Sequence, residues 1–316
     1  MEKSIYSKQQ ISPMLWFDNQ AEDAVQLYTS TFPNSRRERV ARYGKEGFEF
    51  HHQPEGAVMT LDFTVDGQRF TALNAGPVFS INPSISFFAT YETEAEVDRI
   101  WKALSEGGKV LMALDKYPWS QKYGWVQDRF GVSWQLAWGN RKDVGGQSIV
   151  TSLMFVGEHC GQAEAAMKHY TSIFSDSGIS GILRYGADQA PDREGTVMHA
   201  QFTLGGQTFA AMDSAVAHAF NFNEGISLVV SCETQEEVDY YWERLSEGGD
   251  PKAQVCGWLK DKFGVSWQVV PNILEEMLHD RDKQKVENVT RAYMRMKKFD
   301  IASLKAAFEG TAHVSA

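Results

Sequence analysis

Apolar residues along this chain alternate with polar ones in short runs, separated by stretches in which they recur every three or four positions. Residues 13–17 read as a short apolar strand. Residues 21–32 place Ala24, Leu27, Tyr28 and Thr31 on one helical face, and Pro33-Asn34 ends the run. Residues 36–43 and 57–65 are patterned as strands, and Asp66-Gly67 marks a hairpin leading into 69–73. A second round follows. Residues 85–90 form a strand, and residues 93–105 a helix with Thr93 as N-cap and Glu96 completing a capping box. Gly107-Gly108 stops that helix. Residues 125–128 and 132–138 then close as a hairpin across Arg129-Phe130-Gly131. The predicted order is β-α-β-β-β, twice.

The whole pattern then repeats. Phe130-Gly131-Val132-Ser133-Trp134-Gln135 returns as Phe263-Gly264-Val265-Ser266-Trp267-Gln268, and Leu104-Ser105-Glu106-Gly107-Gly108 returns as Leu245-Ser246-Glu247-Gly248-Gly249. The offset between the copies drifts, which puts insertions and deletions into loops; the second copy lacks the aromatic stretch Tyr117-Pro118-Trp119-Ser120. Residues 1–140 are therefore expected to form a first domain and 148–272 a second, with a polar, glycine-containing linker between them. Residues 273–316 read as a helical extension. Val286, Val289, Tyr293 and Met296 form an apolar stripe expected to pack on the second domain.

Composition narrows the function classes. The chain has 316 residues, with 31 Lys and Arg against 41 Asp and Glu, a net charge of −10. An acidic surface disfavours a nucleic-acid backbone or an anionic membrane as partner. Cys160, Cys232 and Cys256 are odd in number, widely spaced and free of any CxxC, which argues against a disulfide framework and a structural zinc site. No run of about 18 apolar residues is present and the first residues carry no apolar leader, so a cytoplasmic location is expected.

The paired β-α-β-β-β units, each pair closing on D-[RK]-F-G-V-S-W-Q, resemble the vicinal oxygen chelate superfamily, the glyoxalase and bleomycin-resistance fold. Within it the chain is similar to the PhnB-like branch, whose members often carry the label 3-demethylubiquinone-9 3-methyltransferase. The residues that carry the likeness are Pro13-Met14-Leu15-Trp16-Phe17, Ala21-Glu22 with Val25, Tyr28 and Phe32-Pro33-Asn34-Ser35, and Glu96-Val97-Asp98 with Trp101, Leu104 and Gly108. Cys256-Gly257-Trp258-Leu259-Lys260-Asp261 adds to it. The resemblance implies an α+β fold of two tandem domains, in which paired units curl into a half-open barrel whose concave face holds the site. It also implies a divalent cation held by His and Glu from the first, fourth, fifth and eighth strands. Those positions fall near Ser12, 72–74, Ser86 and Gln135 in the first copy, and near Val150, 211–213, Ser227 and Gln268 in the second. Neither set offers His and Glu, so no metal and no cofactor are expected. The methyltransferase label would imply S-adenosylmethionine, yet no GxGxG turn occurs.

The candidate ligand-binding residues are Trp16, Asn74, Trp125, Gln135, Asp213, Trp258 and Gln268. Gln135 and Gln268 point into the barrel if alternation holds, either to bond a ligand or as amides satisfied within the core. Trp134 and Trp267 then face the helices. Trp16, Trp125, Trp258 and the loop residue Trp119 are wall candidates. Asp213, standing where the first copy has Asn74, reads as a base, a weak ligand or a cap. Cys256 with His199 is the one candidate nucleophile and base pair, against an inert thiol. His51 and His52, if on a strand, point to opposite faces and do not share one metal. Three readings of function stay open: a metal-free small-molecule-binding protein, an enzyme of the superfamily acting on a small oxygenated or aromatic substrate, and a scaffold that imitates a dimer with vestigial sites. Whether the chain itself forms a homodimer is left open too.

Overall fold

The structure, a computed structural model, describes residues 9–311. The first copy contains β1 (Ile11–Phe17), α1 (Ala21–Thr31), β2 (Arg36–Arg42), a single turn α2 (Phe48–His51), β3 (Val58–Val65) and β4 (Gln68–Asn74) as its first unit. Its second unit is β5 (Ile85–Tyr91), α3 (Glu94–Ser105), β6 (Lys109–Tyr117), β7 (Ser120–Gln127) and β8 (Ser133–Trp138). The second copy repeats this as β9 (Ile149–Val156), α4 (Ala163–Ile173), β10 (Gly178–Arg184), β11 (Val197–Leu204) and β12 (Gln207–Ser214), then β13 (Ile226–Cys232), α5 (Gln235–Ser246), β14 (Asp250–Val255), β15 (Trp258–Lys260) and β16 (Ser266–Pro271). Three helices follow among the described residues: α6 (Asn272–Leu278), α7 (Lys283–Tyr293) and α8 (Ile301–Phe308).

Local chemistry explains the boundaries. The Thr93 hydroxyl accepts from the Glu96 amide at 3.3 Å, and Thr234 does the same for Glu237. Both helices therefore start with the capping box that the spacing predicts. One strand escapes the sequence pattern. β6 is half exposed along its length and lacks clean alternation, yet it pairs with β7 in a long hairpin. In the second copy the corresponding hairpin is short and turns at Cys256-Gly257, both at positive φ. That pair of backbone angles suits a two-residue hairpin turn.

The two sheets do not follow the two copies. One runs β14-β15-β16-β13-β1-β4-β3-β2 and the other β10-β11-β12-β9-β5-β8-β7-β6. Each sheet thus joins two β-α-β-β-β units into an open, curved sheet, but takes one unit from each copy: the first with the fourth, the second with the third. The sequence places adjacent units together; the structure pairs them across the repeat. The antiparallel seams are β1 with β13, where Met14 faces Ser227, and β5 with β9, where Ser86 faces Ser152. The connectors from β4 to β5 and from β12 to β13 both cross between sheets and run side by side. Asn82 donates to the Asn221 carbonyl at 3.0 Å, and Asn223 donates to the Ser80 carbonyl at 2.9 Å. Repeat phrases determine the shape of a unit; the crossing connectors determine which units meet.

The helices pack on the convex faces over one continuous core. Trp134 lies against Tyr28, Phe32 and Phe87, and Trp267 against Tyr170 and Phe174, on the helix side as alternation predicts. The tail departs from expectation. It is three short helices, and they lie over the concave face of the first sheet, touching both copies rather than the second alone. Glu275 of α6 pairs with Arg69 at 2.5 Å and with Arg39 at 3.3 Å, and Arg291 of α7 holds Glu46 through two bonds of 2.5 and 3.1 Å. The amides of Cys256 and Gly257 donate to the carbonyls of Met296 and Lys297 at 2.8 and 2.7 Å.

Candidate functional site

The concave face of the first sheet and the tail above it border a partly open cavity of about 620 Å³. Its floor is built by strand alternation: Ser12, Met14 and Trp16 from β1, Thr71 and Leu73 from β4, and Gln268 from β16. Leu278, Val286 and Tyr293 close it from the tail side. Trp16 and Trp258 make an aromatic corner, with ring centroids 6.0 Å apart in an edge-to-face arrangement. The Trp16 indole N–H is used up on the Gly76 carbonyl at 2.8 Å, which fixes that ring.

Three carboxylates of the lining, Asp62, Glu275 and Glu46, are paired with arginines behind it. Asp62 accepts from the Thr71 hydroxyl at 2.8 Å and lies 3.8 Å from the Arg39 guanidinium. Arg39 and Arg69 also hold Glu275, so two guanidiniums meet two carboxylates at one end of the space. On the far side Arg291 holds the Glu46 carboxyl below the usual carboxylate range. Burial pushes the Tyr43 phenol up to about 12, and its hydroxyl donates to the Asn74 carbonyl at 2.5 Å.

Gln268 is 4% exposed and has a defined orientation. Its Nε2 donates to Ser227 Oγ at 2.8 Å and lies 3.0 Å from Met14 Sδ. No described residue donates to its Oε1. Gln135, the counterpart in the second sheet, is closed at both ends: Nε2 donates to Ser86 Oγ at 2.8 Å, and the Tyr123 hydroxyl donates to Oε1 at 2.6 Å.

The remaining predicted residues separate by role. Trp16, Trp258 and Gln268 come together at the cavity; Gln135 and Trp125 lie on the other sheet, where the Trp125 indole bonds Ser133 Oγ at 2.6 Å. Trp119 is 65% exposed at the β6–β7 hairpin tip, stacked on Tyr117. Asn74 and Asp213 are caps that face the helices. Asn74 Oδ1 accepts from the Ala21 amide at 2.9 Å. Asp213 accepts from the amides of Gly161, Ala163 and Val197 at 2.7, 3.2 and 2.9 Å. Its carboxyl is pushed up by burial and pulled back by those three donors. Both carboxyl oxygens are tied to backbone amides, which is the bonding of a cap. Cys256 and His199 stand on different sheets, at the β14–β15 turn and on β11, so they form no pair. Burial raises the Cys256 thiol, which bonds the Met294 carbonyl. His51 lines the cavity with both ring nitrogens bonded, to the Glu46 carbonyl and the Gln53 amide.

Sequence reasoning missed Asp62, Arg39, Arg69 and the tail's Glu275. Arg39, Asp62 and Arg69 stand on the neighbouring strands β2, β3 and β4 of one unit, and the tail brings Glu275 to them from more than two hundred residues away. Tyr123, which stands two residues before Trp125 as Cys256 stands before Trp258, was missed as well, although it carries the bond to Gln135.

Residues 9–137 and again 147–270 match the family described as 3-demethylubiquinone-9 3-methyltransferase. The chain belongs to that family. A PhnB protein from Bacillus cereus, described with the same methyltransferase label, is 38% identical over 41% of this chain and 98% of its own, with a TM-score of 0.38. Protein PA1353 from Pseudomonas aeruginosa is 27% identical over 41% of this chain and 96% of its own, with a TM-score of 0.35. Glyoxalase I from Zea mays is 13% identical over 85% of this chain and 96% of its own, with a TM-score of 0.53, a likeness of fold across both copies. No curated protein matches the chain.

The groups that the fold and the family label imply do not fit the residues present. Among the described residues no three His, Cys, Asp or Glu side chains gather where one ion could be held. Hydroxyls, a thioether and a neutral amide at the concave face are poor donors for Ni, Zn, Mn or Fe. The strand-to-helix turns of the sheet that carries the cavity, Asp18-Asn19-Gln20 and Glu233-Thr234, contain no glycine with which to cradle a nucleotide-like cofactor. No helix is long and apolar enough to cross a membrane among the described residues.

Proposed function

We propose that this protein binds one small, uncharged, largely apolar organic molecule on the concave face of its first sheet, beneath the tail helices, without a metal. The observation that carries this reading is the roofed cavity of about 620 Å³ with its aromatic corner of Trp16 and Trp258. That volume lies within the range of sites for small organic ligands, which pair apolar walls with a few placed polar groups. Compensation of Arg39 and Arg69 by Asp62 and Glu275 favours a neutral occupant. The second sheet serves as scaffold, since its equivalent amide is satisfied within the protein.

A fluorine NMR screen of small fluorinated aromatic fragments tests this. Fragments are expected to broaden with the wild-type chain and to be released by Leu73→Trp, which fills the cavity from its floor. A chain that engages no fragment, or a filled variant that binds as well as the wild type, overturns the reading.

A further inference from the structure

The two sheets carry the same amide in two states. On the second sheet Gln135 Oε1 takes a 2.6 Å hydrogen bond from the phenol of Tyr123, a residue of β7. On the first sheet the aligned residue is Cys256, placed in a tight turn because the hairpin there is shorter. Its thiol is spent on the Met294 carbonyl and not on Gln268. Gln268 keeps the other half of the arrangement, with Nε2 on Ser227 as Gln135 has Nε2 on Ser86, both at 2.8 Å. Its Oε1 is therefore turned away from the seam. Trp258 stands directly opposite Gln268 in the strand pair, and both line the cavity.

We infer that Gln268 is the specificity-determining residue of the cavity and that its ligand carries a ring-borne hydroxyl, which donates to Gln268 Oε1 as Tyr123 donates to Gln135. Tyr123 is an internal copy of the ligand's recognised group. The inference rests on the cavity being a ligand site and adds the chemistry of what enters it. A hydroxyl satisfies the acceptor; an isosteric methyl leaves it buried and unpaired. Burying an unpaired acceptor costs about 1–3 kcal/mol. A factor of ten in affinity corresponds to about 1.4 kcal/mol. Preference for the hydroxyl is thus between about fivefold and about a hundredfold.

The test compares 4-fluorophenol with 4-fluorotoluene, which differ by that one exchange, using fluorine NMR titration of the full chain. The wild type is expected to hold the phenol about tenfold more tightly, and Gln268→Met to lose or reverse the preference while still binding the toluene. Tyr123→Phe, on the other sheet, is expected to leave both affinities unchanged. Equal binding of the two probes by the wild type, or a preference that survives Gln268→Met, overturns the inference while leaving the cavity a ligand site. Binding of neither probe overturns both. If Gln268→Met does not fold, the wild-type ratio of the two probes decides alone.

Discussion

Asp128 and Asp261 sit behind the hairpins that close the two copies, and each holds four donors. Asp261 accepts from the Tyr170 hydroxyl at 2.6 Å, the Trp267 indole at 2.8 Å and the amides of Phe263 and Val265 at 2.8 and 3.0 Å. Asp128 repeats this with Tyr28, Trp134, Phe130 and Val132. The aspartate that opens each closing phrase thus ties helix, hairpin and sheet together. Asp261→Ala leaves four buried donors without partners and is expected to cost about 3 kcal/mol or more; urea denaturation followed by far-UV circular dichroism measures it, and an unchanged midpoint would contradict the pinning role. At this scale the sequence was partly legible. Period-two alternation placed Trp134 and Trp267 toward the helices and Gln135 and Gln268 toward the concave faces. Asp213 is the cap that was one of its readings, while Asn74 was read only for the pocket, because a side chain at a strand end looks alike in the sequence whether it serves a pocket or a helix terminus.

Between elements, the junction of the tail with the β14–β15 turn decides whether the cavity keeps its roof. Gly257, at φ +80, presses against the Phe299 ring, so a Cβ there would overlap that ring and also strain the backbone. Phe299 belongs to a small second core with Leu274, Met277, Val289 and Leu304, which holds the three tail helices together. Gly257→Val is expected to loosen the tail and speed limited proteolysis between α6 and α7, with far-UV circular dichroism of the sheets retained; wild-type cleavage rates would count against this coupling. Hairpin signals and capping boxes made most elements readable before the structure. β6 was not, since an edge strand with half-exposed positions shows no alternation. The tail's stripe was read correctly as apolar, but its target was not, because a stripe records that a face is buried and not what buries it.

For the molecule as a whole, the repeat identified four units and left their partnership undetermined. Units one and four meet at the seam of β1 with β13, and units two and three at that of β5 with β9. Nothing in the repeated phrases marks these seams, since Ile11, Leu15, Ile226 and Leu228 are apolar whichever strand lies alongside. A nick between residues 140 and 147 would give two fragments, each supplying half of both sheets. Co-expressed, the fragments are expected to elute as one particle at the size of the intact chain in size-exclusion chromatography, and each alone to be largely unfolded. Two separately folded, non-associating fragments would refute the intertwined pairing.

The crossing connectors also set an order of events on the ribosome. Strands β5 to β12 are contiguous in the chain, so one sheet can close while the last unit is still being made. The other must hold β1 to β4 unpaired along β1 until β13 and β16 emerge; Met14 waits for Ser227, more than two hundred residues later. Long-range closure of this kind is slow and leaves strand edges open meanwhile. The tail, which follows β16 in the chain, covers the cavity only after that seam exists. The half without the cavity is thus the early-folding half, and the half that carries the cavity is the one whose maturation waits for the fourth unit and the tail.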